Sequence, residues 1–537
     1  MQRRHPRADS LHRPASILRR RRLTRRDLLR TSAAAGFGIA LGRYAAGVPA
    51  ARGAAAPQQG GTLRVGAVAD VHTLDPHYSV DWSERPVMYA IYNTLVSATP
   101  TFEIAPELAR SWKVSPDGLS ITASLAPDVR FHDGTACDAA AVKWNIDFIL
   151  NQANNSPQFK QLQPFLAGVD AGGPTTVTFR LKKPYAGFLA AFTERPGFIV
   201  SPAAYQKYGK DFGRNPVGSG MYQFVEWLPD DHVAIKRFDG YWGTKSYLDG
   251  ITYKVVPDPA VRDTMVRTAE LDITSEPDPK DVPVLQRAPG VKVVSENPSG
   301  HWWGIQWRVD RPPFNNKALR QAIAYGVDRD EFVKIMLGGR GSVANGPTPS
   351  IVWWYSQPAR AYTYDPERAK RLLAEAGYQK GFSAEFSTDN TPVGLQFAQL
   401  LQAQLKRLNI TLTINPVDPS NLYQQVLQQK VNWTRTDWTL RADPDGLLRI
   451  LFYTGNYANS TGYSNPTVDK LLDQANSTYD RNARKKLYAQ IDQQVLDDAP
   501  YVWVFYPSED APMRTAVQNY AWIPDSVPRY RSVWLTK

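Results

Sequence analysis

From about residue 310 to residue 506, two hydrophobic periods take turns along the chain, and this most restricts the fold. Residues 316–325 carry apolar side chains at helical spacing. Asp328 then caps a second helix, with Glu331 three residues on, as in a capping box. Asp365-Pro366-Glu367 supplies an N-cap, a first-turn proline and an early acid, and Gly377 stops that helix. A long helix over 391–408 leads into a strand over 410–414. A helix over 421–429 leads into a strand over 433–438. Asn465-Pro466 and Asp480 cap two more helices, and 501–506 is a closing apolar strand. Alternation of this kind predicts an α/β fold whose sheet is covered by helices.

The first half is less regular. Alternating strands are expected at 61–66, 119–125, 175–181, 233–237 and 251–256, and residues 260–273 read as a helix feeding a short strand. A helix is expected over 137–150, with Val142, Ile146 and Ile149 on one face. A chain of 537 residues exceeds what one core fills, so two or three compact units are expected. No Gly/Ser linker or internal repeat separates them. Strands or loops must therefore cross between lobes, which predicts a hinge.

The formal net charge of +12 belongs to the N-terminus. Residues 1–56 hold 13 Arg against Asp9 and Asp27, so the remainder is nearly neutral. A nucleic-acid-binding body would need a concentrated basic face, and no basic run follows residue 56. Thr24-Arg25-Arg26-Asp27-Leu28-Leu29-Arg30 resembles the twin-arginine export motif. A short apolar stretch over 33–42 and small-residue cleavage sites near Val48-Pro49-Ala50 and Gly53-Ala54-Ala55 follow it in the order of a leader. Residues 1–56 are thus expected to be a twin-arginine-type signal peptide. Cys137 is the only cysteine, so a lipid anchor near the cleavage region and an internal disulfide are not expected. The mature protein is expected in the periplasm or otherwise outside the cytoplasm.

Motifs of common chemistry are missing. Gly243-Thr244-Lys245-Ser246 lacks the glycine a P-loop needs before its lysine, and Gly218-Ser219-Gly220 is too short for a nucleophile elbow. The His residues past the leader are scattered, so neither a metal site nor a cofactor is expected. Asp443-Pro444-Asp445 reads as a turn rather than a catalytic carboxylate pair. His132-Asp133 on an extended segment would point to opposite faces.

Several segments in order resemble the family 5 extracytoplasmic solute-binding proteins of ABC importers, the dipeptide, oligopeptide and nickel-binding group. They are Gly60-Gly61-Thr62-Leu63-Arg64-Val65, Thr73-Leu74-Asp75-Pro76, Pro106-Glu107-Leu108-Ala109, Val129-Arg130-Phe131-His132-Asp133-Gly134 and Asn215-Pro216-Val217-Gly218-Ser219-Gly220. Pro313-Phe314, Arg320-Gln321-Ala322, Gly462-Tyr463-Ser464-Asn465 and Asp498-Ala499-Pro500-Tyr501 continue the series. The resemblance implies a two-lobed periplasmic-binding-protein fold with an extra subdomain inserted in lobe I. Lobe I is expected at 57–95, 215–306 and 501–537, the insert at 96–214 and lobe II at 307–500. The crossings would fall at 305–308 and 500–504.

The resemblance also implies a monomer that captures a small molecule between the lobes and delivers it to an inner-membrane ABC permease with cytosolic ATPases, without enzymatic chemistry. In peptide-binding relatives a Trp-x-x-Asp pairs with the ligand's ammonium. Counting from Trp438, that position here holds Arg441, and neither Leu440 nor Ala442 restores a carboxylate. A guanidinium in a closed cleft favours an anionic group. Otherwise Arg441 would pair with Asp443, Asp445 or another acid. Trp438, Trp303, Trp307, Trp353 and Trp354 are expected to line the cleft, with His77 and Tyr78 nearby by analogy with the family. The alternative is a secreted carbohydrate-active enzyme or lectin with a Trp-lined cleft.

Overall fold

The protein is described by a computed structural model covering residues 56–359 and 361–537. The leader expected over 1–56 lies almost wholly outside the described residues. Residues Pro57–Lys537 form one compact unit that holds three principal sheets.

A seven-stranded sheet runs in the order Val291–Glu296, Glu509–Arg514, Ile273–Thr274, Thr62–Ala67, Gly250–Val255, His232–Arg237, Tyr222–Leu228. Thr62–Ala67 is parallel to both of its neighbours, and the remaining pairs are antiparallel. A six-stranded mixed sheet runs Gly341–Val343, Tyr501–Pro507, His301–Trp307, Trp433–Thr439, Phe382–Asp389, Ile410–Val417. A four-stranded antiparallel sheet is built from Ala109–Val114, Ser120–Leu125, Thr176–Leu181 and Leu166–Ala171. Against it packs the helix Ala139–Leu150, burying Val142, Ile146 and Ile149.

The helix signals are realised in detail. Asp328, Asp365, Asn465 and Asp480 each accept a backbone N–H in the first turn of the following helix. The capping box is only half formed. Asp328 accepts the Glu331 N–H, but the Asp328 N–H goes to Gln404 Oε1 at 2.9 Å. Glu331 is drawn away to Gln404 on the helix Pro392–Lys406 and to Arg407 at its C-terminal end.

Two strands depart from the expected lobe boundaries. His301–Trp307 and Tyr501–Pro507 pair with each other inside the six-stranded sheet. The chain therefore passes between the two large sheets at 297–300 and at Ser508, not at 305–308 and 500–504. The reason is apolar content. Tyr501–Pro507 buries six of its seven residues, as a central strand covered on both faces must. At the second passage Arg340, from the six-stranded half, holds Asp510 of the seven-stranded sheet at 2.6 and 3.1 Å.

His132 and Asp133 do not meet. The His132 N–H donates to the Gly218 carbonyl, and its ring contacts the Gly220 carbonyl at 2.9 Å. Asp133 instead accepts the hydroxyls of Ser201 and Thr135. The Gly218-Ser219-Gly220 segment lies against the backbone of Ala90 and Ile91, where a Cβ on Gly218 would come 2.2 Å from the Ile91 carbonyl oxygen. Two segments that carry the family resemblance thus clamp one another as a structural joint.

Candidate functional site

The strand Trp433–Thr439 ends in Leu440-Arg441, and Pro444 then opens the helix Asp445–Phe452. This turn faces residues 160–195, which belong with the four-stranded sheet. Between them lies a cavity of about 280 Å³ lined by Glu194, Arg195, Lys160 and Tyr185 on one side and by Arg441 and Tyr457 on the other. The cavity thus sits between two different halves of the fold.

Its acids are already engaged. Arg484 donates to both oxygens of Asp443 at 2.7 and 2.8 Å, and Asp443 also accepts the Asp445 N–H. Arg449 Nε reaches both oxygens of Asp445 at 2.9 and 3.1 Å. Both carboxylates are buried, which removes them as a free pair for acid–base work. The sequence expectation of a turn at Asp443-Pro444-Asp445 fits this arrangement.

Arg441 has no such partner. Its Nη1 donates to Thr439 Oγ1 at 2.8 Å and lies 3.3 Å from the Thr439 and Leu440 carbonyls. Among the described residues no carboxylate oxygen comes within the 4.0 Å of an ion pair with it. Across the cavity, Glu194 lies 3.5 Å from Arg85 and 3.9 Å from Arg195. Burial pushes the Glu194 carboxyl up, but Arg441, Arg85, Arg195 and Arg529 together bring it down to about 2. Glu194 is therefore ionised at neutral pH, although Arg529, one of those four arginines, is itself held by Asp525 at 2.5 Å.

Arg441 is the one sequence-predicted residue that lines this cavity. Trp303 and Trp438 are half-buried in their strands. Trp303 stacks on Phe505 beneath the Arg435 guanidinium, and Trp438 sits opposite Trp302. Trp307 is a correction. It is 1% exposed, stacks on Phe314, meets Trp433 at a tilt and donates to the Ala499 carbonyl, so it is core. Trp354 is a second, being fully buried against Phe102. Trp353 lies under Arg481 and Arg484 and does not line the cavity. His77 is fully buried, stacked on Phe148 and bonded to Asn145, and burial pushes its imidazole down to about 3. Tyr78 is exposed, with its hydroxyl on the Asn154 carbonyl.

Glu194, Arg195 and Lys160 were missed. The available signal was Glu194-Arg195 one residue past the apolar run 188–192, a charge pair where a buried segment ends. Among the described residues no group of three or more His, Cys, Asp or Glu is placed to hold a metal ion, and no helix is long and apolar enough to cross a membrane.

The profile of bacterial extracellular solute-binding proteins, family 5, matches residues 103–459, about two thirds of the chain and including both walls of the cavity. The chain belongs to this family. The glutathione-binding protein GsiB of Pectobacterium atrosepticum is 32% identical over 478 residues, covering 87% of this chain and 92% of that protein. The periplasmic binding protein DppA of Helicobacter pylori, solved with the peptide STSA, superposes with a TM-score of 0.78 at 27% identity, covering 89% and 99% of the two chains. AgaA of A. tumefaciens R10, solved with agropinic acid, gives 0.75 at 25% identity over 89% and 99%. The two-lobed fold and the role of solute binding for an ABC importer follow. Family 5 proteins deliver their ligands to ABC permeases, and the relatives compared are binding proteins.

Proposed function

We propose that this protein captures an anionic, peptide-like solute in the cavity at Arg441 and hands it to its permease as a monomer, without chemical turnover. One observation carries the reading. Arg441 lines the cavity with no carboxylate within ion-pair distance among the described residues, facing Glu194 across it, while Asp443 and Asp445 beside it are held by Arg484 and Arg449. A guanidinium in that setting binds a carboxylate through charge-assisted, often bidentate hydrogen bonds. The field of Arg441 at Glu194 supports the same reading, since it places an unpaired guanidinium on the cavity wall. Glutathione, the ligand named for GsiB, carries two carboxylates and one ammonium, and agropinic acid is also an organic acid. Hydrolysis of a glycoside would need two carboxylates free to act; Asp443 and Asp445 are held in ion pairs.

The leader over 1–56 supports export by the twin-arginine route, and the absence of a cysteine near it supports release without a lipid anchor. Native mass spectrometry of the processed protein, followed by calorimetry with glutathione, tests the binding reading. Stoichiometric binding of an anion, weakened at least about tenfold in Arg441→Ala and partly restored in Arg441→Lys, is expected. Affinity unaltered in Arg441→Ala would overturn the assignment of that residue.

A further inference from the structure

A hairpin far in sequence from Arg441 ties the two walls of the cavity together. Its strands, Val96–Ala98 and Ile104–Pro106, stand beside the four-stranded sheet, and Val96 is buried in that sheet's own cluster. Its tip belongs elsewhere. Phe102, 1% exposed, sits in the hydrophobic cluster of the six-stranded half, with Ala98 and Ile104 packed against the same cluster. Its ring lies nearly parallel to Trp354, 6.2 Å away. The base and the tip of one hairpin are thus buried in two different cores.

The tip is built for this insertion. Phe102 has φ 59°, in the left-handed region a bulky side chain rarely occupies. Thr99 holds the loop there, since its carbonyl accepts the Phe102 N–H and its hydroxyl the Glu103 N–H. Beside Phe102, Glu103 pairs with Arg481 at 2.7 Å, and Arg481 in turn lies over Trp353. Further along the seam, Ala186 N–H donates to the Asn476 carbonyl, and Tyr479 donates to the Gly118 carbonyl. Neither Phe102, Glu103, Trp354 nor Arg481 lines the cavity.

We infer that Phe102, seated on Trp354 and flanked by the Glu103–Arg481 pair, is a closure latch and a positioning residue that sets affinity without touching the solute. Separating the cavity walls would pull Phe102 out of the second core and leave two large aromatic faces in water. The closed form is therefore favoured by the protein's own contacts before any solute arrives. Apparent affinity scales with the fraction of molecules already closed, so weakening the latch weakens binding even when every solute contact is intact.

The inference rests on the closing motion implied by the binding reading, and its test separates the two. Spin labels are placed at Lys113→Cys and Lys470→Cys, both exposed, while the native Cys137 is buried. Distances are read by double electron–electron resonance on the ligand-free mature chain. Phe102→Ala is expected to move the distribution to longer separations than the parent. Glu103→Arg is expected to do so partially, and Glu103→Arg with Arg481→Glu to reverse it. With glutathione as the probe, Phe102→Ala is expected to raise the dissociation rate about tenfold or more while the association rate changes little. A distance distribution unmoved in Phe102→Ala overturns the latch whatever glutathione does. A shifted distribution in a protein that does not bind glutathione supports the latch and counts against glutathione as the solute. A melting temperature for Phe102→Ala close to the parent's separates latch release from misfolding.

Discussion

Arg484 and Asp443 make the tightest ion pair beside the cavity, with both side chains under a tenth exposed. Arg484 also meets the Tyr488 hydroxyl at 2.8 Å and the Ala475 carbonyl, so its donors are spent inside the protein. Removing one partner of such a pair leaves a buried charge alone. Arg484→Met is expected to lower the urea unfolding free energy by about 3–5 kcal/mol. The double change Arg484→Met with Asp443→Leu should recover much of that loss, because it leaves no uncompensated charge. A single variant as stable as the parent would show that the pair is solvated. The same pair explains why Arg441 does not hold Asp443: sequence spacing brought Asp443 near it, but Arg484, from a helix some forty residues on, claims that carboxylate. Residue types at Arg441 were legible; their partners were not, because pairing is settled in space.

At the scale of elements, helix ends were the most readable feature. Caps depend on one side chain and the next three backbone N–H groups, all local. The helix Arg481–Asp498 also carries a group that nothing local explains. Asp492 is buried beside Thr348, with one carboxylate oxygen unpartnered. Burial pushes its carboxyl up to about 7, and the Thr348 hydroxyl opposes this only in part. The folded form therefore holds this proton where the unfolded chain, near its ordinary value of 3.8, has released it. This contribution to stability is full below about pH 4 and is lost as pH rises through about 7. Asp492→Asn is expected to remove that dependence and to be more stable than the parent at pH 8 by about 3 kcal/mol, as read in pH-dependent unfolding. Unchanged slopes between pH 5 and 8 would refute it. The joint at Gly218-Ser219-Gly220 gives a second expectation. A Cβ on Gly220 would lie 2.5 Å from the Ala90 carbonyl oxygen, so Gly220→Ala should cost about 1–3 kcal/mol in chemical denaturation.

At the scale of the whole molecule, the proposed leader and the two passages between the large sheets each carry an expectation. Arg25→Lys with Arg26→Lys keeps the leader's charge but removes the paired guanidiniums. If the twin-arginine reading is correct, the unprocessed chain should accumulate in the cytoplasm, as cell fractionation would show; normal export would refute that reading. The two passages at 297–300 and Ser508 lie outside the cavity. Gly300 is packed so closely that a Cβ there would fall 1.6 Å from the Pro524 carbonyl oxygen.

The sequence by itself determined the α/β class, most element positions, the family and the unusual arginine at 441. Each of these rests on local periodicity, caps or ordered short motifs. Tertiary structure alone decided which tryptophans are core, which strands carry the crossings and what fills the face of Trp354. A tryptophan in a strand reads the same whether its sheet is covered by helices or open to a cleft. Trp307 and Trp354 are buried by Phe314 and Phe102, the latter some 250 residues from its partner, and no spacing along the chain encodes that meeting.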